Sequence, residues 1–259
     1  MKRRADVRHQ QESDVAEDAE ASASVLLFLH IPKAAGTALV RVLDSLFDPA
    51  ERLHLYGRRN DSLDALDLPS LPLSRRRHLR FVAGHFLYGI HEWLPAPCQY
   101  ITVLRDPVER IRSLYDHFLN YPEPGEGDWH NWIVKEGADL HRFVAEQPTA
   151  QTDNYMVRLL AGKSPPIGAC SREMLDLAKY HLDDFALVMF QDALRPGLAQ
   201  LSALLDRDVP VLPRLNVASL RTHGVPQQTR EMIKERNSLD VELYAYAQAK
   251  RGTAGAKGG

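Results

Sequence analysis

The stretch His30-Ile31-Pro32-Lys33-Ala34-Ala35-Gly36-Thr37-Ala38 decides the fold. Immediately upstream, residues 25–30 form a short apolar run that ends at Pro32 and reads as a buried strand. Downstream, Leu39, Val40, Leu43, Leu46 and Phe47 recur at helical spacing and predict a helix over 36–47. The order is therefore strand, small-residue loop, helix. Small side chains let backbone amides approach a ligand closely, and the start of a helix adds unpaired N–H groups and a partial positive charge. Lys33 contributes a full charge and Thr37 a hydroxyl. A terminal phosphate or sulfate needs such a set of groups. Taken alone, the loop favours anion binding only modestly over an ordinary βα turn carrying an exposed lysine.

The spacing differs from the nucleotide-triphosphatase pattern Gly-x-x-x-x-Gly-Lys-Ser/Thr, because here the lysine precedes the glycine. A triphosphate carries more charge and is usually handled with Mg²⁺ held by a hydroxyl and a carboxylate. A sulfuryl group carries less, so a lysine and backbone amides suffice. No motif in the chain calls for a metal.

Working outward, residues 79–84 predict a second strand and 100–104 a third, which runs into Arg105-Asp106-Pro107. Asp106 suits a helix N-cap and Pro107 the first helical position. Val108, Ile111, Tyr115 and Phe118 then form one apolar stripe, broken over 121–127 by prolines and glycines. Further helices are expected near 140–146, 154–160, 172–182 and 194–205, a strand over 185–190, and a last amphipathic helix over 227–247. Residues 48–78 read as a helix or two plus loops. Within them Arg75-Arg76-Arg77 is taken as a solvated face rather than an anionic-substrate patch. Strands alternating with helices imply an α/β fold with a largely parallel, three-layer sheet. A single domain is expected over 23–248, with a disordered tail over 1–22 and a frayed end over 249–259.

Composition narrows the function classes. The formal net charge of −2 gives no global field for nucleic acid. Cys98 and Cys170 supply neither a disulfide framework nor metal-ligand spacing. The basic start Met1-Lys2-Arg3-Arg4 is followed by polar residues, not by the apolar core of a signal peptide. The longest apolar run, 25–29, is far short of the roughly 20 residues a membrane span needs. A soluble, cytoplasmic protein is expected.

The motifs resemble a known family. Ile31-Pro32-Lys33-Ala34-Ala35-Gly36-Thr37 resembles the 5′-phosphosulfate loop of sulfotransferases, closest to the branch of heparan sulfate 2-O-sulfotransferase and bacterial carbohydrate sulfotransferases. Ala38 departs from it, since many members have serine there. Arg105-Asp106-Pro107-Val108-Glu109-Arg110-Ile111-Arg112-Ser113 resembles the second anchor of those enzymes, and the resemblance implies that Arg105 and Ser113 hold the 3′-phosphate of the donor. An arginine fork suits phosphate oxygens in any case. Asp106, Arg110 and Ser113 also share one helix face by spacing. The alternative there is a capped surface helix with its arginines in salt bridges. Ala83-Gly84-His85-Phe86 resembles the segment that supplies the catalytic base, which implies His85. Among 11 histidines, His85 stands above His30, His91 and His117 on that ground alone. The segment 153–162 resembles a helix of the same branch, and places Asn154 and Arg158 weakly on the acceptor side. Asn216 falls in a proline-flanked loop expected over the donor, and residues 237–244 resemble the closing helix.

The resemblance implies the sulfotransferase variety of the P-loop fold and transfer of a sulfuryl group from 3′-phosphoadenosine 5′-phosphosulfate to a hydroxyl, on a glycan or glycolipid. Lys33, Ala34, Ala35, Gly36, Thr37, Ala38, Arg105 and Ser113 would bind the donor, with Lys33 and His85 catalytic. The rival readings are an ATP-dependent small-molecule kinase and a non-catalytic nucleotide-binding module.

Overall fold

The computed structural model describes residues 24–57, 62–121, 129–210, 222 and 224–255. The tail over 1–22, the donor-covering loop residue Asn216 and the last four residues lie outside the described residues.

Strand β1 (Val25–Leu29) is five apolar residues, all buried. A run apolar on both faces belongs in the middle of a sheet covered on both sides. That is its position: β2 (Arg52–Leu55), β3 (Phe81–Gly84), β4 (Cys98–Leu104) and β5 (Leu187–Phe190) complete an all-parallel sheet in the order β2-β3-β1-β4-β5. From β1 the chain first goes to the edge on one side as β2 and returns as β3 between the two. It then crosses to the other side with β4 and β5. Loops leaving β1 and β4 therefore diverge, and the crevice between them at the carboxyl ends is where open parallel sheets bind ligands.

Helices flank this sheet. The helix after β1 is α1 (Gly36–Asp44), which buries Leu39, Val40, Val42 and Leu43. A short α2 (Leu73–Arg77) precedes β3. Helix α3 (Pro107–Asn120) starts as its sequence predicts, with the Asp106 carboxylate accepting the Glu109 N–H at 3.0 Å and Pro107 in the first turn. Its apolar stripe joins α4 (Trp129–Glu136) and α5 (Leu140–Glu146) in a second, smaller core. The main core takes in the sheet, α1, α6 (Tyr155–Ala161), α7 (Arg172–Asp183) and α8 (Leu194–Leu205). The chain closes with α9 (Gln227–Arg236) and α10 (Ser238–Gly255). No helix of the described residues is long and apolar enough to cross a membrane.

Three expectations change. The segment 48–78 contains a strand, β2, whose Arg52 and His54 hid a period too short to read. The arginine run is not a solvated face. Arg75 donates to the carbonyls of Ala50 and Arg52, and Arg76 to those of Leu71 and Trp93, so two of the three brace the β2 edge and its surroundings. The expected helix over 227–247 is two helices broken at Asn237. There the side chain accepts the Asn154 N–H at 2.9 Å and donates to the Ile233 carbonyl at 3.1 Å. An amide side chain that bonds its own backbone competes with the helix ladder. Helix α4 was not anticipated, and α10 runs past residue 248 to Gly255.

Candidate active site

The sheet register sets the site. Leu29 and Leu55 both pair with Gly84, so the next residues, His30, Tyr56 and His85, stand side by side at three adjacent strand ends. The ladder continues one step past the strands: His30 N–H donates to Gly84 O and His85 N–H to Leu55 O, each at 2.9 Å. These backbones are thus held by the sheet itself, the rigid platform a site requires. Gly84 allows this closeness, because a Cβ there would lie 2.2 Å from the Leu55 carbonyl oxygen.

Beyond His30 the loop turns sharply. Lys33 and Ala35 both adopt left-handed backbone, at φ 68° and 70°. Each costs about 1–2 kcal/mol for a residue with a Cβ. Such strain persists where the surroundings over-determine it, typically at ligand clamps. Alternating handedness curls the loop into a concavity of N–H groups that suits an anion. Ala35 is the N-cap of α1 and offers no side-chain cap. The first-turn amides of Gly36, Thr37 and Ala38 are therefore left to another acceptor. Gly36 is not needed for its φ. It is needed because a Cβ would meet the His30 ring at 2.1 Å, so the imidazole lies under the start of α1 as the floor of the loop.

Arg105, one residue past β4, donates from Nη1 to the Lys33 carbonyl at 2.8 Å. It bridges the crevice and ties the two motifs together. Burial lowers its pKa, and its Nε is buried without a hydrogen-bond partner among the described residues. Ser113 lies half-buried farther along α3. Arg110 does not join them. Fully buried, it donates to the Gln151 carbonyl at 2.7 Å and lies over the Tyr155 ring, turned into the protein. Arg112 does pair with Glu109, at 2.6 Å.

His85 is exposed, and its Nδ1 lies 2.7 Å from the His30 carbonyl oxygen. A carbonyl only accepts, so Nδ1 carries the proton and the lone pair of the neutral ring falls on Nε2. The His30 and His85 rings lie 4.6 Å apart, and the Tyr56 ring stands edge-on to His85 at 4.8 Å. His30 also bonds the Tyr56 hydroxyl through Nδ1 at 3.0 Å. Burial first, then the nearby charges of His85 and Lys33, hold the His30 pKa well below 6.5.

Lys33, Ala34, Ala35, Gly36, Thr37, Ala38, Arg105 and His85 thus gather around one crevice. Asn154 and Arg158 do not face it as acceptor-side groups would. Asn154 is buried, with its Oδ1 accepting the Leu239 and Asp240 N–H groups at 3.0 and 3.2 Å. Arg158 is buried against Asp153 and the carbonyls of Pro165 and Pro166. Asn154 belongs to the junction of α6 with α10, and Arg158 to that of α6 with the loop that follows it. The residues that sequence reasoning passed over are His30 as loop floor and Tyr56. Their common signal is position, each being the first residue after a strand, and for Tyr56 the strand itself went unread. Among the described residues no group of three His, Cys, Asp or Glu side chains is placed to hold a metal ion.

No protein-family model matches the chain, and no curated protein does. Among solved structures it is similar to a sulfotransferase from Alicyclobacillus acidocaldarius, at 15% identity over 86% of this chain and 94% of that one, with a TM-score of 0.44. It is also similar to mouse sulfotransferase SULT7A1 complexed with PAP, at 14% identity over 74% of this chain, with a TM-score of 0.40. The match spans 63% of the mouse chain, less than two thirds of its length.

Proposed function

We propose that this chain transfers a sulfuryl group from 3′-phosphoadenosine 5′-phosphosulfate to a hydroxyl of a carbohydrate. One observation carries the reading. The candidate base, the candidate anion loop and the candidate phosphate arginine are bonded to one another: His85 to the carbonyl of the loop's first residue, and Arg105 to the carbonyl of Lys33. Three motifs far apart in sequence serve one crevice, at the end of the sheet where ligands bind.

The residues fit such a donor. Uncapped amides at the start of α1, together with Lys33, suit a terminal sulfate and the phosphate that leaves from it. Arg105, with its buried unpartnered Nε, and Ser113 suit the 3′-phosphate. The donor, when bound, supplies a sulfuryl group on a stable leaving phosphate. Little covalent chemistry then falls to the protein, and positioning and charge stabilisation dominate, as in phosphoryl transfer. His85 supplies the remaining element. Its Nδ1–H is fixed on a carbonyl, so Nε2 takes the proton of the acceptor hydroxyl as the bond to sulfur forms. The carbohydrate acceptor rests on the likeness of the Gly84-His85 and 153–162 segments to the carbohydrate branch.

A transfer assay with labelled donor against a panel of oligosaccharides, phenols and small alcohols tests the reading, with labelled ATP in parallel. Label should pass to a saccharide from the sulfuryl donor and not from ATP. Phosphoryl transfer from ATP, or donor binding with no transfer to any hydroxyl, would contradict it.

A further inference from the structure

Tyr56 is outside every motif that pointed to the crevice, yet it touches both histidines there. Its hydroxyl lies 3.0 Å from His30 Nδ1, and its ring meets His85 edge-on at 4.8 Å and 83°. The phenol is largely enclosed, and burial, followed by the Asp44 carboxylate, raises its pKa, so it keeps its proton. A buried O–H requires an acceptor. Among the described residues the hydrogen-bonded acceptor is His30 Nδ1. The phenol therefore donates, and the neutral His30 ring carries its own proton on Nε2, the edge that lies against Gly36. The backbone of Tyr56 is itself pinned, its N–H donating to Ser62 Oγ at 2.6 Å while that hydroxyl donates to the His54 carbonyl at 2.8 Å.

We infer that Tyr56 is a positioning residue. By one hydrogen bond it fixes the tautomer and place of His30, and by its ring edge it fixes the orientation of His85. The consequence runs through two contacts. His30 gives the carbonyl that holds the His85 proton on Nδ1, and its ring supports the glycine at the start of α1. A rotation of His30 would disturb the base and the anion loop together. Tyr56 stands at the end of the edge strand, next to β3 and not to β1, so its bond to His30 passes across His85 and closes a triangle of three rings.

This inference rests on the proposed transfer for its kinetic consequence but not for its structural one, and the test has an arm for each. Nitrogen-15 imidazole spectra of the full chain, recorded without donor or acceptor, report the tautomers directly. In the wild type His30 should appear as the Nε2–H form and His85 as the Nδ1–H form. Tyr56→Phe keeps the ring edge and removes the hydroxyl, so the His30 signals should move toward a mixture of tautomers. In the transfer assay the same variant should lose roughly ten-fold in kcat, the lower end for a residue that orients a working group, together with a smaller loss of donor affinity through the loop that His30 supports. Tyr56→Leu, which also removes the ring edge, should lose more kcat. A wild-type His30 with its proton on Nδ1, or Tyr56→Phe spectra identical to wild type, would overturn the inference. So would equal kcat in wild type and both variants. If the chain transfers no sulfuryl group at all, the spectra still decide the role of Tyr56.

Discussion

Lys33 holds a left-handed backbone in the loop while its carbonyl is clamped by Arg105, so its backbone is fixed. Lys33→Ala should lower turnover by about 10²–10³ and weaken donor binding, measured by initial rates and by titration calorimetry. Wild-type rates would remove the loop from the chemistry. Arg105 has two tasks to separate. If it reads the 3′-phosphate, Arg105→Ala should raise the KM for the full donor far more than for a donor lacking that phosphate. Equal losses would assign it to holding the Lys33 carbonyl alone. Gly36→Ala puts a Cβ into the His30 ring and should abolish activity while leaving the sheet folded; an active variant would mean that His30 is not the loop floor. The strand ends that carry Lys33 and Arg105 were legible in the sequence from an apolar run followed by small residues or a cap, whereas His85 was singled out by the resemblance alone. Asn154 and Arg158 were set on the acceptor side for the opposite reason. Helical spacing says which residues share a face but not which face is buried. The partners of Asn154 in α10 are 85 and 86 residues away.

At the scale of elements, α6 and α10 cap each other. Asn154 accepts the Leu239 and Asp240 amides at the start of α10, and the Asp240 carboxylate accepts the Met156 and Val157 amides at the start of α6, at 3.2 and 2.8 Å. Each helix start thus receives a capping side chain from the other, and α6 has none from its own N-cap. Asp240→Ala should lower unfolding stability by about 1–3 kcal/mol, read from the urea midpoint, because it strips two buried amides of their acceptor. A change within error would show that water replaces the carboxylate. This reciprocity also explains why the sequence suggested one helix over 227–247: the apolar spacing carries through Asn237, and only the distant Asn154 gives the break its purpose. Strands β1, β3 and β4 were readable as apolar runs, and α3 by its cap and stripe. The edge strand β2 was not readable, since four residues with alternating polar side chains resemble a loop until Arg75 is seen bracing them.

Across the whole molecule the candidate groups form one row along the carboxyl edge of the sheet, from Tyr56 through His85 and His30 to Arg105. A buried neutral histidine in that row has a thermodynamic signature. His30 has a folded-state pKa well below 6.5, while the unfolded chain titrates near that value. The unfolded state therefore binds a proton that the folded state does not. Its contribution to stability is complete above about pH 6.5 and is lost as the pH falls below it. Urea midpoints should decline from pH 7 to pH 5, and His30→Gln, which cannot titrate, should flatten that slope. An unchanged slope would locate the acid sensitivity elsewhere. The largely parallel sheet was implied by strands alternating with helices, while the switch between β1 and β4 came from the strand order. The bonding of three motifs into one unit was not, because it depends on register. The central claim is that this unit performs a proton-coupled transfer with His85 as its base, and parallel measurement of kcat and donor affinity in His85→Ala tests it most directly. The account predicts a kcat lower by about 10²–10⁴ with donor affinity near wild type, because a base acts only as the transition state forms. A near-normal kcat, or a variant that no longer binds donor, would contradict it.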